Sequence, residues 1–143
     1  MGQFKIYLKD VLSNLNYFKI TPASMKTILE FSRIRKETFP DPQTAATMSE
    51  IILQAPTVEE KAFLAMLANL PLIIRLYVYS ASIPDHHYSF SDYFNEIYLK
   101  VVKAIPSYDP TKSKITTFVG AVIYMKAKTI WKENKTLEER EIP

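Results

Sequence analysis

Residues 90–118 read FSDYFNEIYLKVVKAIPSYDPTKSKITTF, and this stretch decides the fold. Phe94, Ile97, Tyr98, Val101 and Ile105 recur three and four apart, which predicts an amphipathic helix with those five side chains turned inward. Asp92, Asn95, Glu96, Leu99 and Lys103 then fall on the opposite face as an exposed stripe. Ser91 is the expected N-cap, and Pro106 with Asp109-Pro110 stops the helix, since proline cannot continue one. A second helix is expected from about Thr116 to about Asn134. Charge is segregated: acids lie at Asp92 and Glu96, whereas Asp109 is the only acid between Lys100 and Lys132. That layout suits a protein that grips a basic partner with one part of its surface and a polyanion with another.

Outward from this stretch, the pattern is helical throughout. Phe4, Leu8, Val11, Leu12 and Leu15 predict a helix over about 3–16. Thr21-Pro22 opens another through Met25, Ile28, Leu29 and Ile34, as an N-cap with proline at the first helical position. The FPDP run at 39–42 is a loop, followed by a short helix over about 43–54 carrying Met48, Ile51 and Ile52. Thr57-Val58-Glu59-Glu60 reads as a capping box that opens the apolar run AFLAMLANLPLIIRLYVYSA, split or bent at Pro71. SIPDHH at 82–87 is a loop. The expected architecture is all-α, a compact helical bundle, with N-terminal helices over 1–56 packing on or preceding a helical domain over 57–143.

Composition excludes several classes of function. The chain has 143 residues, no cysteine and a net charge of +3. Its length suffices to bury a core without disulfides or metal. Without cysteine there is no thiolate metal site and no cysteine nucleophile, and a reducing, cytoplasmic setting is expected. Gly2 and Gly120 are the only glycines, too few for a phosphate-cradling loop or a nucleophile elbow. Ile6 stands where a myristoylation signal has Ser or Thr. Pro71 and Arg75 interrupt the longest apolar run, so no membrane span is expected. His86 and His87 are adjacent, without the spacing of helical metal ligands, and lie with Asp85 in a loop; Glu59 and Glu60 are explained by capping. An enzyme is not expected, nor a cofactor.

Both helices of the opening stretch admit a structural and a functional reading. Carboxylates in a first helical turn favour the helix dipole by about 0.3–1 kcal/mol wherever they occur. Asp92 and Glu96 also suit a docking stripe for a basic helix, with Leu99 at its apolar centre. In the last helix, Ile115, Phe118, Val119, Val122, Ile123, Ala127 and Ile130 line one side. Thr117, Tyr124, Lys128, Trp131 and Lys135 project elsewhere, with Lys114, Lys126 and Lys132 near them. Aromatic residues interleaved with lysines suit single-stranded nucleic acid, because lysines neutralise phosphates and rings stack on bases. A solvated lysine face with Trp131 capping the core has the same periodicity.

The order of these residues resembles domain 2 of bacterial sigma factors, the promoter-recognition subunits of RNA polymerase. That family's polymerase-binding helix commonly reads D-L-I-Q-E-G, then L-x-K-A-V-x-x-F-D-P; here the register gives Asp92-Tyr93-Phe94-Asn95-Glu96, Lys103-Ala104-Ile105 and Tyr108-Asp109-Pro110. The family's K-F-S-T-Y is matched by Lys114-Ile115-Thr116-Thr117-Phe118, and its upstream A-N-L-R-L-V-I by Ala68-Asn69-Leu70-Pro71-Leu72-Ile73-Ile74. Ile142-Pro143 falls where such domains often end in an I-P pair, and Ile6-Tyr7-Leu8-Lys9-Asp10 is similar to the M-Y-L-R-E before domain 2. The resemblance spans roughly residues 60–143.

The resemblance implies a sigma domain 2-like fold and two sets of contacts. Asp92, Asn95, Glu96, Leu99 and Lys103 would dock on the clamp coiled coil of core RNA polymerase. Lys114, Thr116, Thr117, Phe118, Tyr124, Lys126, Lys128, Trp131 and Lys132 would engage promoter DNA, chiefly the single-stranded −10 non-template strand. The chain departs from primary sigma factors at Ala121 and Val122, where they carry the tryptophan pair that wedges the duplex apart. Nothing after Pro143 supplies the helix-turn-helix domain that reads the −35 element in that family, so the expectation is either a fragment or a factor that works with domain 2 alone; phage late-promoter factors and split sigma factors are the precedents, and a second protein is the alternative source of −35 recognition. The alternative is a regulator that mimics sigma domain 2 and occupies the clamp without opening DNA.

Overall fold

The structure, a computed structural model, describes residues 42–80 and 89–141, with side chains through Glu133. The helices expected over 3–16 and from Thr21-Pro22, the FPDP loop apart from Pro42, the SIPDHH loop with His86 and His87, Lys135, and the Ile142-Pro143 pair lie outside the described backbone or side chains. The described part is all-α: α1 (Pro42–Leu53), α2 (Val58–Ala68), α3 (Leu70–Ser80), α4 (Phe90–Ala104), a short 3-10 turn (Ile105–Ser107) and α5 (Ile115–Glu141). No strand occurs among the described residues.

α2 begins as its sequence dictates. Thr57 is the N-cap, and its hydroxyl accepts a hydrogen bond from the Glu60 amide at 3.1 Å. The Lys61 ammonium closes the same turn by donating to the Ala55 carbonyl. Every residue of α2 from Ala62 to Ala68 is buried, so this is the central helix. A helix buried all round shows no amphipathic stripe.

The break after α2 falls at Asn69, two residues before Pro71. Proline lacks an amide hydrogen and is tolerated in a first helical turn, so Pro71 sits at the start of α3 and not at the bend. α2 and α3 meet at 72°. The Asn69 backbone serves both helices: its N–H donates to Ala65 and Met66 carbonyls at 3.2 and 3.0 Å, and its carbonyl accepts from Ile73 at 3.1 Å. No single described helix is long and apolar enough to cross a membrane.

α4 starts earlier than the spacing of Ser91 suggests. Ser89 is the N-cap, accepting from the Asp92 amide at 3.1 Å, and Ser91 lies inside the helix. Starting at Phe90 adds both Phe90 and Tyr93 to the buried face with Phe94, Ile97 and Val101. The gain is aromatic packing: Tyr77 meets Phe90 and Tyr93 edge-on, each at 5.2 Å, and Phe63 meets Phe94 at 5.9 Å. Such contacts contribute roughly 0.5–1.5 kcal/mol each beyond area burial.

α5 packs against α1, α2, α3 and α4. Its buried arc, Ile115, Val119, Ile123, Ala127 and Ile130, closes one core with Met48 and Ile52 of α1 and Phe63, Leu67 and Ile73 of the central helices. The core therefore runs without interruption across residue 56.

Candidate functional site

The loop joining α4 to α5 sets the direction of both helices. Tyr108 donates from its hydroxyl to the Ser113 carbonyl at 2.6 Å, and Asp109 accepts from the Thr111 hydroxyl at 2.6 Å and the Thr111 amide at 2.9 Å. Those two bonds hold the Asp109 carboxyl below its ordinary value of 3.8. The turn is locally closed by its own side chains, which is what an Asp-Pro-Thr sequence permits.

On α4, Asp92, Asn95, Leu99 and Lys103 are exposed and Glu96 is half-exposed, forming one outward stripe. Leu99 shows half of its surface to solvent, 50%, in the middle of it. Ile97, Val101 and the aromatic residues hold the opposite face, so the stripe is fixed on a rigid element. Glu96 has a neighbour of opposite charge, the Lys126 ammonium at 3.9 Å, a surface pair worth no more than about 1 kcal/mol.

That pairing moves Lys126 away from the set expected to meet DNA. It lies on the side of α5 that faces α4, about half a helical turn from Thr117 and Lys128. Thr116 also differs from expectation. It is 2% exposed, its hydroxyl lies 3.2 Å from that of Ser49, and its carbonyl accepts from the Asn69 side-chain amide at 3.2 Å. The reason is that α5 is flanked by four helices, so its buried arc is wider than its apolar stripe and takes in a threonine. Gly120 belongs to the same junction, since a Cβ there would stand 3.3 Å from the Asn69 carboxamide oxygen.

The remaining residues of that set divide into two zones along α5. Near its start, Lys114 and Thr117 are exposed, while Phe118 is half-buried against the Tyr108 ring at 5.4 Å. Ala121 is exposed and Val122 half-buried, so no large ring projects from those two positions. Further along, Tyr124, Lys128 and Lys132 are exposed and Trp131 is half-exposed. Here α3 joins the surface: Tyr79 lies 6.4 Å from Trp131, the rings tilted by 32°. Tyr79, Tyr124, Lys128 and Trp131 line a groove of about 210 Å³ with Leu76 and Ala127.

Tyr79 is a residue the sequence reading missed. Tyr77 and Tyr79 are two apart, so they must point to roughly opposite sides of a helix. Tyr77 being the partner of Phe90 and Tyr93 sends Tyr79 outward, but nothing in an apolar run shows which tyrosine faces the core.

No family model matches this chain, and neither a curated protein nor a solved structure matches it.

Proposed function

We propose that this chain is a sigma-like transcription initiation factor. It docks on the clamp coiled coil of bacterial core RNA polymerase through Asp92, Asn95, Glu96 and Leu99, with Lys103 at the edge, and engages the −10 promoter element through the outer face of α5. It acts in the cytoplasm of a bacterium or a phage-infected host, without catalytic chemistry of its own. The observation that carries the reading is the separation of two chemically opposite faces on adjoining helices. An acidic stripe centred on exposed Leu99 lies on α4, and an aromatic and lysine-bearing surface lies on α5. The ordered sequence resemblance across residues 60–143 supports the same assignment.

A stripe of this kind suits a basic coiled coil: its acids give charge complementarity and Leu99 a small apolar centre. Lys114 and Thr117 begin the DNA-facing surface; Lys128 and Lys132 continue it. Thr116 contributes by positioning α5 from within, and Lys126 by pairing with Glu96.

One observation favours a second reading, the mimic that occupies the clamp without opening DNA. At Ala121 and Val122 there is no ring to wedge a duplex apart. A salt titration of promoter-DNA binding by polymerase with and without this chain separates the two. An initiation factor adds phosphate contacts and steepens the fall of log K with log salt by about 0.7–0.9 per contact. A mimic leaves that slope unchanged or abolishes binding.

A further inference from the structure

We infer that the groove between α3 and α5 is a stacking site for one base of a single-stranded nucleic acid, with Tyr79, Tyr124 and Trp131 as its aromatic wall and Lys128 holding the adjoining phosphate. This rests on the reading above that α5 meets a nucleic acid, and it adds a contact zone separate from the Lys114–Phe118 segment.

Three observations carry the inference. The first is the aromatic exposure. Tyr79 is 65% and Tyr124 54% exposed, and both converge with Trp131 on one concavity. Single exposed apolar side chains are ordinary on protein surfaces, whereas here three rings border one groove. The buried sides of α3 and α5 are formed by Leu72, Ile73, Ile123, Ala127 and Ile130, and the three rings lie outside that set.

Size is the second. An apolar cavity of about 150 Å³ holds a benzene ring, whereas sites for drug-sized molecules occupy roughly 300–1,000 Å³. At about 210 Å³ the groove takes one ring system and excludes a whole dinucleotide cofactor.

Charge is the third. From Ile115 to Lys132 every charged residue of α5 is a lysine, and Lys128 lines the groove itself. The occupant therefore joins a planar apolar body to a negative group. A nucleotide within a strand has that composition, and in a duplex its faces would be hidden by stacking. The groove lies six to thirteen residues beyond Phe118, about 9–20 Å further along the helix axis. Phe118 is occupied by Tyr108, so the two zones are physically distinct.

Trp131 is the chain's only tryptophan, so fluorescence excited selectively at tryptophan, beyond the absorption of the tyrosines, reports on this groove. The test titrates the full chain with a short single-stranded DNA of mixed sequence and with an abasic strand of equal length. Binding to core RNA polymerase is measured alongside. The expected result is quenching by the base-containing strand and none by the abasic strand. The Tyr79→Ala/Tyr124→Ala variant should weaken binding of the base-containing strand roughly 5- to 150-fold, leaving the abasic strand unaffected. Both tyrosines are largely exposed, so the variant should fold, and its circular dichroism verifies that. Equal binding of both strands without quenching overturns the base site, while leaving the DNA-facing reading of the lysines intact. Absence of any strand binding also overturns it. Failure to bind polymerase is scored separately and counts against the initiation-factor reading, not against the groove.

Discussion

The outer faces of α4 and α5 follow the same helical period and end as chemical opposites. On α4 the outer stripe is acidic and amide-bearing at Asp92, Asn95 and Glu96, with a single apolar residue, Leu99, at its centre and Lys103 at its edge. On α5 it is aromatic and basic, reinforced by Tyr79 from α3. The inner faces are opposite as well. α4 turns Phe90, Tyr93, Phe94 and Ile97 into the core, with the Tyr93 phenol as its one buried hydroxyl. α5 turns inward a polar junction, Thr116 with Ser49 and Asn69 and the close approach at Gly120, beside its isoleucines. Both helices pack against at least three others, so the contrast comes from what each inner face meets: aromatic side chains beside α4, and the Ser49 and Asn69 side chains beside the first turns of α5.

The largest expected effect tests the interior of α4. Burial pushes the Tyr93 phenol up to about 12, with the nearby Ser80 side chain opposing the shift. The folded pKa lies above the unfolded value of 10.0, so the buried neutral phenol contributes its full stability below pH 10. That contribution, about 2–3 kcal/mol, is lost as pH rises towards 12. Urea unfolding midpoints should fall across this window, and less steeply in Tyr93→Phe. Tyr98 and Tyr108, also raised by burial, add to the slope. An unchanged slope in Tyr93→Phe would mean that α4 does not hold this phenol in an apolar wall.

Next comes the α5 junction. The Asn69 side-chain amide donates to Ala65 and Thr116 carbonyls at 2.9 and 3.2 Å. Asn69→Ala leaves both without that donor and should destabilise the fold by about 1–3 kcal/mol, read by thermal or urea melts. A cost near zero would show that α5 is held by its isoleucines alone.

The smallest effect falls on the outer face of α5. Lys128→Ala should leave stability within about 0.5 kcal/mol and reduce the salt slope of single-stranded DNA binding by about 0.7. Lys126→Ala, which removes the partner of Glu96, should leave that slope unchanged. Equal effects of the two would erase the distinction between the faces.

Much of this was legible in the residues themselves. The Thr57 cap, the inward residues of α4 and its outward stripe all follow from local periodicity and side-chain chemistry. What periodicity could not supply is the identity of the neighbour beyond each face. Ser89 outcompetes Ser91 as a cap because the earlier start buries Phe90, a tertiary gain. Thr116 is buried because α1 and α2 close over α5 on that side. Lys126 turns to Glu96 because α4 happens to pack there, and Tyr79 joins the groove because α3 crosses α5 at its far end. In each case the deciding term is a contact between segments distant in the chain.

The most direct test of the central claim is gel filtration of this chain with bacterial core RNA polymerase, beside an Asp92→Lys/Glu96→Lys variant. Co-elution of the natural sequence, lost in the variant with helicity unchanged, is the predicted result; reversing charge at a docked stripe should cost at least about 2–5 kcal/mol. Absence of co-elution with a cognate core, or equal co-elution of both proteins, would contradict the assignment of the α4 stripe as a polymerase-docking surface.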